Sequence, residues 1–493
     1  MAAFEASGVR VDVDPVKGKV VYAEQSFKPG QVIFREQAFV YGTWSSTVCE
    51  ECDEVADDDA HPCASKRSPP FPKQLMNDAK KRTSVLQTMR KMDGIEELDR
   101  ARCIVRCLAK FEEDATALDE VLELTCANRE RCAKTAKKLR SQAPEIFPKG
   151  FTNEQMATLI GALNTNSHEL ENLGGSGLFL SACRMEHNCQ PNCSFTTYDS
   201  ELWMVAIKPV QKGDALSIDY GNFFYRPTEE RMNTLLDSYG FICTCDACMV
   251  EPDTCRAFKC PADKCTDGRV WPYPRKPAVA LEDPSELEFD WKCTDCGHAC
   301  TDEQVETFEA EEHTLLEGGF PQSLEEMDEL LKASALHETH YLLFWALDAI
   351  GCEAAALSAF HTDAERHALA DTWQRIIKCM NIVVPTAHHE KTIYYDNLAQ
   401  VYVILGKIDE AREAYTRAYE ISCLVSGEDC VPTQNIKELV DNTPRNADQL
   451  RAAYASRMAA EADEYDDEDD DDEEDEDDEL DAIDEESDEE DED

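Results

Sequence analysis

Two features are missing from this sequence, and each argues against a class of protein. No run of 18 apolar residues occurs in the 493 residues, so a membrane-spanning helix is not expected. The first residues, MAAFEASGVRVDVD, lack the basic and then apolar pattern of a secretory signal. We therefore expect a protein of the cytoplasm, the nucleus or both, with no membrane partner.

Basic residues are scarce. The chain has 48 Lys and Arg against 102 Asp and Glu, a net charge of −54. Residues 461–493 contain 27 Asp or Glu and no Lys or Arg, so we expect a disordered acidic tail over 459–493. The excess of acidic over basic residues argues against direct sequence-specific binding of nucleic acid. It favours basic protein partners, histones among them. Alternatively, the tail serves only solubility.

The hydrophobic pattern changes character along the chain. Residues 9–42 show strand-like runs, 73–145 show helical periodicity, and strand-like runs return at 194–219. We predict an α+β fold and a monomer, with a β-rich core interrupted by a helical insert. The expected segments are 1–45 and 151–242 for the two halves of the core, 46–150 for the insert, 243–304 for a cysteine-rich segment, 305–458 for a helical domain and 459–493 for the tail.

One stretch of the helical region is more specific. The run YYDNLAQVYVILGKIDEAREAYTRAYEI has the residue spacing of a tetratricopeptide repeat. The matching residues are Leu398, Ala399, Tyr402, Gly406, Ala411, Tyr415 and Ala418. A generic pair of helices is the alternative. Repeat surfaces of this kind usually bind another polypeptide.

The 23 cysteines cluster in ways that favour zinc over disulfides. Cys243, Cys245 and Cys248 have C-x-C-x2-C spacing, which supplies three corners of a tetrahedral site. Cys189, in RMEHNCQPNC, is the expected fourth ligand. Unrelated reduced thiols are the alternative.

Four further cysteines have the spacing of a zinc ribbon. They are Cys260, Cys265, Cys293 and Cys296, with Cys255 or Cys300 as possible substitutes for one of them. In the insert, Cys49, Cys52, His61 and Cys63 offer one more zinc site, or else are leftover thiols.

Three runs carry a resemblance to a known family. The runs EHNCQPNCSF and KGDALSIDYGNFFYRPTEERMNTLLDSYGFICTCDAC resemble the second half of a SET domain with its cysteine-rich post-SET segment. KGKVVYAEQSFKPGQVIFRE resembles the first half. The chain is most similar to the SET- and MYND-domain (SMYD) lysine methyltransferases, with a degenerate or missing MYND finger.

The resemblance implies methyl transfer from S-adenosylmethionine to the lysine amine of a protein, histone or non-histone. Tyr220 of SIDY matches the catalytic tyrosine, and Tyr239 of DSYGF matches a wall of the lysine channel. The matching cofactor positions are Lys17, Gly18, Lys19, Asn166, Glu186 and His187.

Departures from the family pattern lie at the cofactor positions. Glu186 stands where the family has Asn, and its carboxylate is expected to repel the cofactor carboxylate. Val20 follows Lys19 where more Gly and Arg are usual, and Ala215 replaces a Glu. A catalytically weak or inactive scaffold that binds proteins is therefore the alternative function.

Overall fold

The computed structural model describes residues 7–15, 17–45, 71–277, 279–356 and 362–455. The predicted ligands Cys49, Cys52, His61 and Cys63 lie outside these ranges, as does the acidic tail. Every element named below lies in one compact unit, which ends at residue 450. In the described part of the chain, no helix is long and apolar enough to cross a membrane.

Ten short strands build the β-rich core. They are β1 (Val9–Asp14), β2 (Gly18–Ala23), β3 (Val32–Gln37), β4 (Val40–Thr43), β5 (Ser167–Leu170), β6 (Gly175–Leu178), β7 (Glu186–His187), β8 (Cys193–Tyr198), β9 (Glu201–Ala206) and β10 (Ser217–Ile218). The sheets have the orders β1-β2, β4-β6-β5, β3-β9-β8 and β7-β10. Because β3 and β4 pair with strands that follow the insert, the interrupted β-rich core and the α+β fold class are confirmed.

Alternating strand residues place one apolar core between these sheets. In strand β2, Val21 and Ala23 belong to this core, whereas Tyr22 between them is half-buried and the buried Val20 lies outside it. The core continues into β9 and the segments around it, where Leu202, Met204 and Ala206 are fully buried. These two halves of the chain are therefore held together by apolar packing as well as by strand pairing.

The insert is helical, as predicted. Its helices are α1 (Ala79–Arg90), α2 (Leu98–Glu113), α3 (Asp119–Leu122), α4 (Arg129–Gln142) and α5 (Asn153–Asn166). Helix α5 begins at a capping box formed by Thr152 and Gln155. Leu159 and Leu163 of α5 are fully buried in the same core as Leu139 of α4. We therefore propose that the insert extends to about residue 166 rather than 150.

The cysteine-rich segment follows α6 (Thr228–Tyr239). It contains α7 (Asp246–Met249) and an antiparallel sheet of β11 (Phe258–Lys259), β12 (Arg269–Pro274) and β13 (Phe289–Cys293). This short sheet is the scaffold expected of a ribbon.

Further helices follow in the C-terminal region of the described chain. They are α8 (Asp302–Gly318), α9 (Leu324–Ala333), α10 (Tyr341–Ala356), α11 (Asp363–Val383), α12 (His389–Ile404), α13 (Ile408–Val425) and α14 (Val431–Asp441). Helices α12 and α13 pack as a hairpin around Ala399, Ala411 and Ala418, all fully buried. Gly406 supplies the left-handed residue of its turn, with φ of 71°. The assignment of this hairpin as a tetratricopeptide repeat stays a prediction.

The helical region packs directly on the strands. His389 of α12 lies with Nε2 2.9 Å from the carbonyl oxygen of Phe195 in β8. Thr196 donates to Ser426 over 2.8 Å, just beyond α13. Helix α12 and the residue after α13 therefore contact strand β8, and α13 itself packs near β8 and β9.

A close backbone approach joins the insert to the core at Gly42 in β4. A Cβ atom there would lie 2.3 Å from the carbonyl oxygen of Asp99 and 2.9 Å from Cβ of Arg102, both in α2. Gly42→Ala should therefore push α2 away and destabilise the protein by about 1–3 kcal/mol. The check is the midpoint of thermal unfolding.

Gly318→Ala is the matched control, because a Cβ at Gly318 meets nothing within 4 Å. That variant should unfold at or slightly above the wild-type temperature. Equal midpoints for wild type and Gly42→Ala would show that the α2–β4 contact is not tight.

Candidate active site and metal centres

Residues 184–193 form a loop fixed at both ends by backbone pairing. Strand β7 lies parallel to β10, with Glu186 opposite Ser217 and His187 opposite Ile218. Asn192 holds the same strand, because its Nδ2 donates to the Ala215 carbonyl (2.8 Å) and its Oδ1 accepts from the Ser217 N–H (2.9 Å). The loop therefore reaches the segment that carries Tyr220.

Four sulfurs meet beneath this loop. The ligand atoms of Cys189, Cys243, Cys245 and Cys248 lie within 4.8 Å of one another. Cys189 Sγ is 3.5 Å from Cys248 Sγ and 4.0 Å from Cys243 Sγ. A tetrahedral zinc about 2.3 Å from each sulfur requires sulfur–sulfur separations of roughly 3.8 Å. The donors and their spacing fit a closed, structural zinc site.

The four thiols share protons through hydrogen bonds within the cluster. These bonds lower the pKa of Cys245 and Cys248 and raise that of Cys189. Arg231, which is buried, lies with Nη2 3.7 Å from Cys248 Sγ. Its positive charge partly offsets the charge of the thiolates. Arg231 belongs to the TEER motif, but its place beside the cysteine cluster was not predicted from the sequence.

His187 lies between the cluster and Tyr220. Its Nδ1 accepts the backbone N–H of Tyr220 over 3.2 Å, and its Nε2 is 3.3 Å from Cys189 Sγ. Burial lowers the pKa of His187 to about 4, so the ring is neutral at pH 7. Since Nδ1 is the acceptor, the ring proton resides on Nε2 and faces the sulfur. One imidazole thus links the cluster to the Tyr220 backbone.

Tyr220 and Tyr239 lie side by side. Their ring centroids are 4.9 Å apart, and the Tyr239 hydroxyl donates to the Tyr220 carbonyl over 3.1 Å. The Tyr220 hydroxyl donates to the Met185 carbonyl over 2.6 Å. Burial raises the pKa of both hydroxyls, so both are protonated at pH 7. Phe241, 36% exposed, lies with its ring centroid 6.5 Å from that of Tyr220 at the solvent side.

Lys17 and Glu186, both predicted to face the cofactor, form an ion pair between Nζ and Oε1. Glu186 is therefore not the isolated negative charge that the sequence suggested. Gly18 adopts a φ of 78° at the start of β2, and the space where its Cβ would lie is open. Positive φ without strain explains why glycine suits this position.

Other predicted cofactor residues face the insert. Lys19 pairs with Glu123 at 2.5 Å. Asn166 donates its amide to the carbonyl oxygens of Thr125 (2.9 Å) and Ala162 (2.8 Å). Arg184 pairs with Glu120 of α3 at 2.8 Å. The cofactor roles of Lys19 and Asn166 stay predictions, and the side chain of Asn166 would have to give up these contacts to serve one.

Comparison with known proteins identifies the fold around this site. The SET domain profile matches residues 18–221. The chain carries a SET domain. Histone-lysine N-methyltransferase SMYD3 of Mus musculus is 30% identical over 119 residues, which are 24% of this chain and 25% of that protein. N-lysine methyltransferase SMYD2 of Homo sapiens is 34% identical over 102 residues, 20% of this chain and 23% of that protein. The resemblance to SMYD proteins is confirmed for the SET part.

The matched stretches span about a quarter of these curated relatives. Among solved structures, the SET domain of LSMT bound to lysine and AdoHcy is similar over 94% of each chain, at 12% identity and a TM-score of 0.26. A TM-score this low carries no argument about the present chain.

A second four-cysteine cluster lies beyond the SET domain. The ligand atoms of Cys260, Cys265, Cys293 and Cys296 lie within 4.8 Å of one another, with Cys260–Cys296 at 3.6 Å and Cys265–Cys293 at 3.8 Å. Gly268 packs directly against the cluster. A larger residue would not fit there, because its Cβ would be 2.3 Å from Cys265 Sγ. The ribbon ligands come together as predicted, without Cys255 or Cys300.

The cysteines in the described part of the insert lie in its apolar core and not in a cluster of four thiols. Cys103 and Cys107 are fully buried on α2, and burial raises the pKa of Cys103 to about 11. Cys132 is also buried, and burial raises its pKa to about 11. These thiols are neutral packing residues, and neither four-cysteine cluster includes them.

Each cluster should hold one zinc ion, because thiolates this close need a metal to offset their charge. Cys248→Ala should lower the zinc content by about one ion per chain, and Cys260→Ala should do the same at the other cluster. The measurement is plasma mass spectrometry of the purified proteins.

Cys352→Ala is the control, because Cys352 is exposed and belongs to neither cluster. It should keep the wild-type zinc content. A Cys248→Ala protein that folds and retains all of its zinc would contradict the assignment.

Proposed function

We propose that this protein transfers a methyl group from S-adenosylmethionine to the amine of a lysine side chain in a protein substrate. The observation that carries the proposal is the hydroxyl of the half-buried Tyr220, which lies beside Tyr239 and donates to the Met185 carbonyl. Tyr220 lies within residues 18–221, which match the SET domain profile, and the chain is 30% identical over 119 residues to a histone-lysine N-methyltransferase.

The tyrosines suit the reaction. The amine lone pair forms the new C–N bond, the C–S bond pair moves to sulfur, and the surplus amine proton goes to water. S-adenosylmethionine supplies the electrophilic methyl group. Because the Tyr220 hydroxyl donates to Met185, its oxygen is free to accept an N–H of the incoming amine and so orient the lone pair. The Tyr239 ring offers a face that attracts a methylammonium.

The cofactor end of the site also fits. Lys17 provides a cation for a carboxylate, and Gly18 leaves open space beside it. The zinc clusters have no role in bond making, since four thiolates leave no open position on the metal. They stabilise the fold around the reacting groups.

The scaffold alternative rested on Glu186, and the Lys17 pair removes that objection in part. We therefore favour the enzyme. Its proposed partners are a lysine-bearing protein, histone or non-histone, and basic proteins attracted by the acidic tail. The α12–α13 hairpin is a candidate surface for polypeptide binding. We propose a monomer located in the cytoplasm, the nucleus or both.

Tyr220→Phe should remove most methyl transfer while leaving cofactor affinity within about twofold. The hydroxyl acts on the amine, so its loss should lower kcat rather than weaken cofactor binding. The assays are transfer of a labelled methyl group to histones and other lysine-rich proteins, and calorimetric titration of S-adenosylmethionine.

Tyr273→Phe, on the ribbon strand β12, is the matched control and should transfer at the wild-type rate. The proposal fails if the wild type, with its zinc intact, neither binds S-adenosylmethionine nor methylates any substrate. It also fails if Tyr220→Phe transfers as fast as the wild type.

A further inference from the structure

Lys17 and Glu186 come from opposite halves of the SET domain and meet at its surface. Lys17 precedes β2 and has 55% of its side chain exposed, whereas Glu186 opens β7 and is 18% exposed. The Lys17 backbone N–H is anchored on Asp14 over 2.9 Å. The backbone of the lysine is therefore anchored and its side chain is largely exposed, whereas the carboxylate is mostly buried.

One carboxylate oxygen of Glu186 can accept a further cation. Its Oε1 pairs with Lys17, and in the described part of the chain no hydrogen bond or ion pair engages its Oε2. Two nearby cations are already paired with the insert, Lys19 with Glu123 and Arg184 with Glu120. A cation arriving at the site thus has the second oxygen of Glu186 available to it.

The same carboxylate lies close to the reacting groups. Glu186 directly follows Met185, whose carbonyl holds the Tyr220 hydroxyl. The negative charge of Glu186 is also one of the groups that act on the ionisation of Tyr220, after burial. A sulfonium placed for transfer to an amine at Tyr220 would therefore lie within the field of Glu186.

We propose that Lys17 and Glu186 open to bind the amino-acid end of the cofactor, and that Glu186 makes the site prefer the cationic methyl donor over its demethylated product. This inference rests on the proposed function. Lys17 would take the α-carboxylate and Glu186 the α-ammonium, so two ion pairs replace one. S-adenosylmethionine also carries a sulfonium and has a net charge of +1, whereas S-adenosylhomocysteine has a neutral sulfur and a net charge of zero.

The proposal reverses the expectation drawn from the sequence. An amide at position 186 was expected to bind the cofactor better, because an isolated carboxylate repels another carboxylate. With Lys17 beside it, Glu186 faces the two cationic groups of the donor instead. Its charge then favours release of the product after each transfer.

Calorimetric titration of the full chain with S-adenosylmethionine, S-adenosylhomocysteine and the cationic analogue sinefungin tests this directly. Glu186→Gln keeps an acceptor oxygen and removes only the charge. It should weaken all three ligands, because each carries the α-ammonium, and it should weaken S-adenosylmethionine and sinefungin roughly tenfold more than S-adenosylhomocysteine, a difference of about 1.4 kcal/mol. Lys17→Met should weaken all three by the same factor, since they share the carboxylate.

Glu420→Gln is the matched control. It breaks an exposed ion pair with Arg417 on α13 and should leave all three affinities unchanged. Equal weakening of donor and product in Glu186→Gln, or tighter binding of the donor, overturns the inference but not the proposed function. A zinc-loaded wild type that binds none of the three ligands overturns both.

Discussion

The meeting of Cys189 with Cys243, Cys245 and Cys248 is the constraint on which the rest of the site depends. It ties the loop of residues 184–193 to a segment more than fifty residues later. His187 contacts Cys189 and accepts the Tyr220 N–H. The cluster therefore helps to fix the position of the candidate catalytic tyrosine through this imidazole. Tyr239, at the end of α6, is placed by the same segment, because Cys243 follows it by four residues. A metal in this cluster would therefore act on the reaction only through geometry.

The insert contributes packing and charge rather than ligands in its described part. Its helices share one apolar core and meet the SET domain closely at Gly42. Its carboxylates Glu120 and Glu123 pair with Arg184 and Lys19. Lys17 pairs instead with Glu186, within the SET domain. The insert thus supplies negative charges that pair with cations of the SET domain that it interrupts.

Spacing in the sequence was enough to predict both cysteine clusters, because thiolate chemistry restricts zinc ligands to a few patterns. It was also enough for the interrupted core, since strand and helix periodicities differ. The pairing of Lys17 with Glu186 could not be predicted, because contacts between distant residues depend on how the two halves close. For the same reason, three further features appeared only in the structure. They are the His187 imidazole between Cys189 and Tyr220, the buried Arg231, and the Asn166 amide that donates to backbone carbonyls.

Hydrogen–deuterium exchange tests the central role of the Cys189 cluster most directly. The comparison is between wild type, Cys248→Ala and Cys260→Ala. Loss of the first cluster should speed exchange of the amides at 186–188 and 217–223, including that of Tyr220, while α4 and α5 keep their protection. Loss of the ribbon cluster should leave those amides unchanged. Unaltered protection of the Tyr220 amide in a zinc-depleted Cys248→Ala protein would contradict the account.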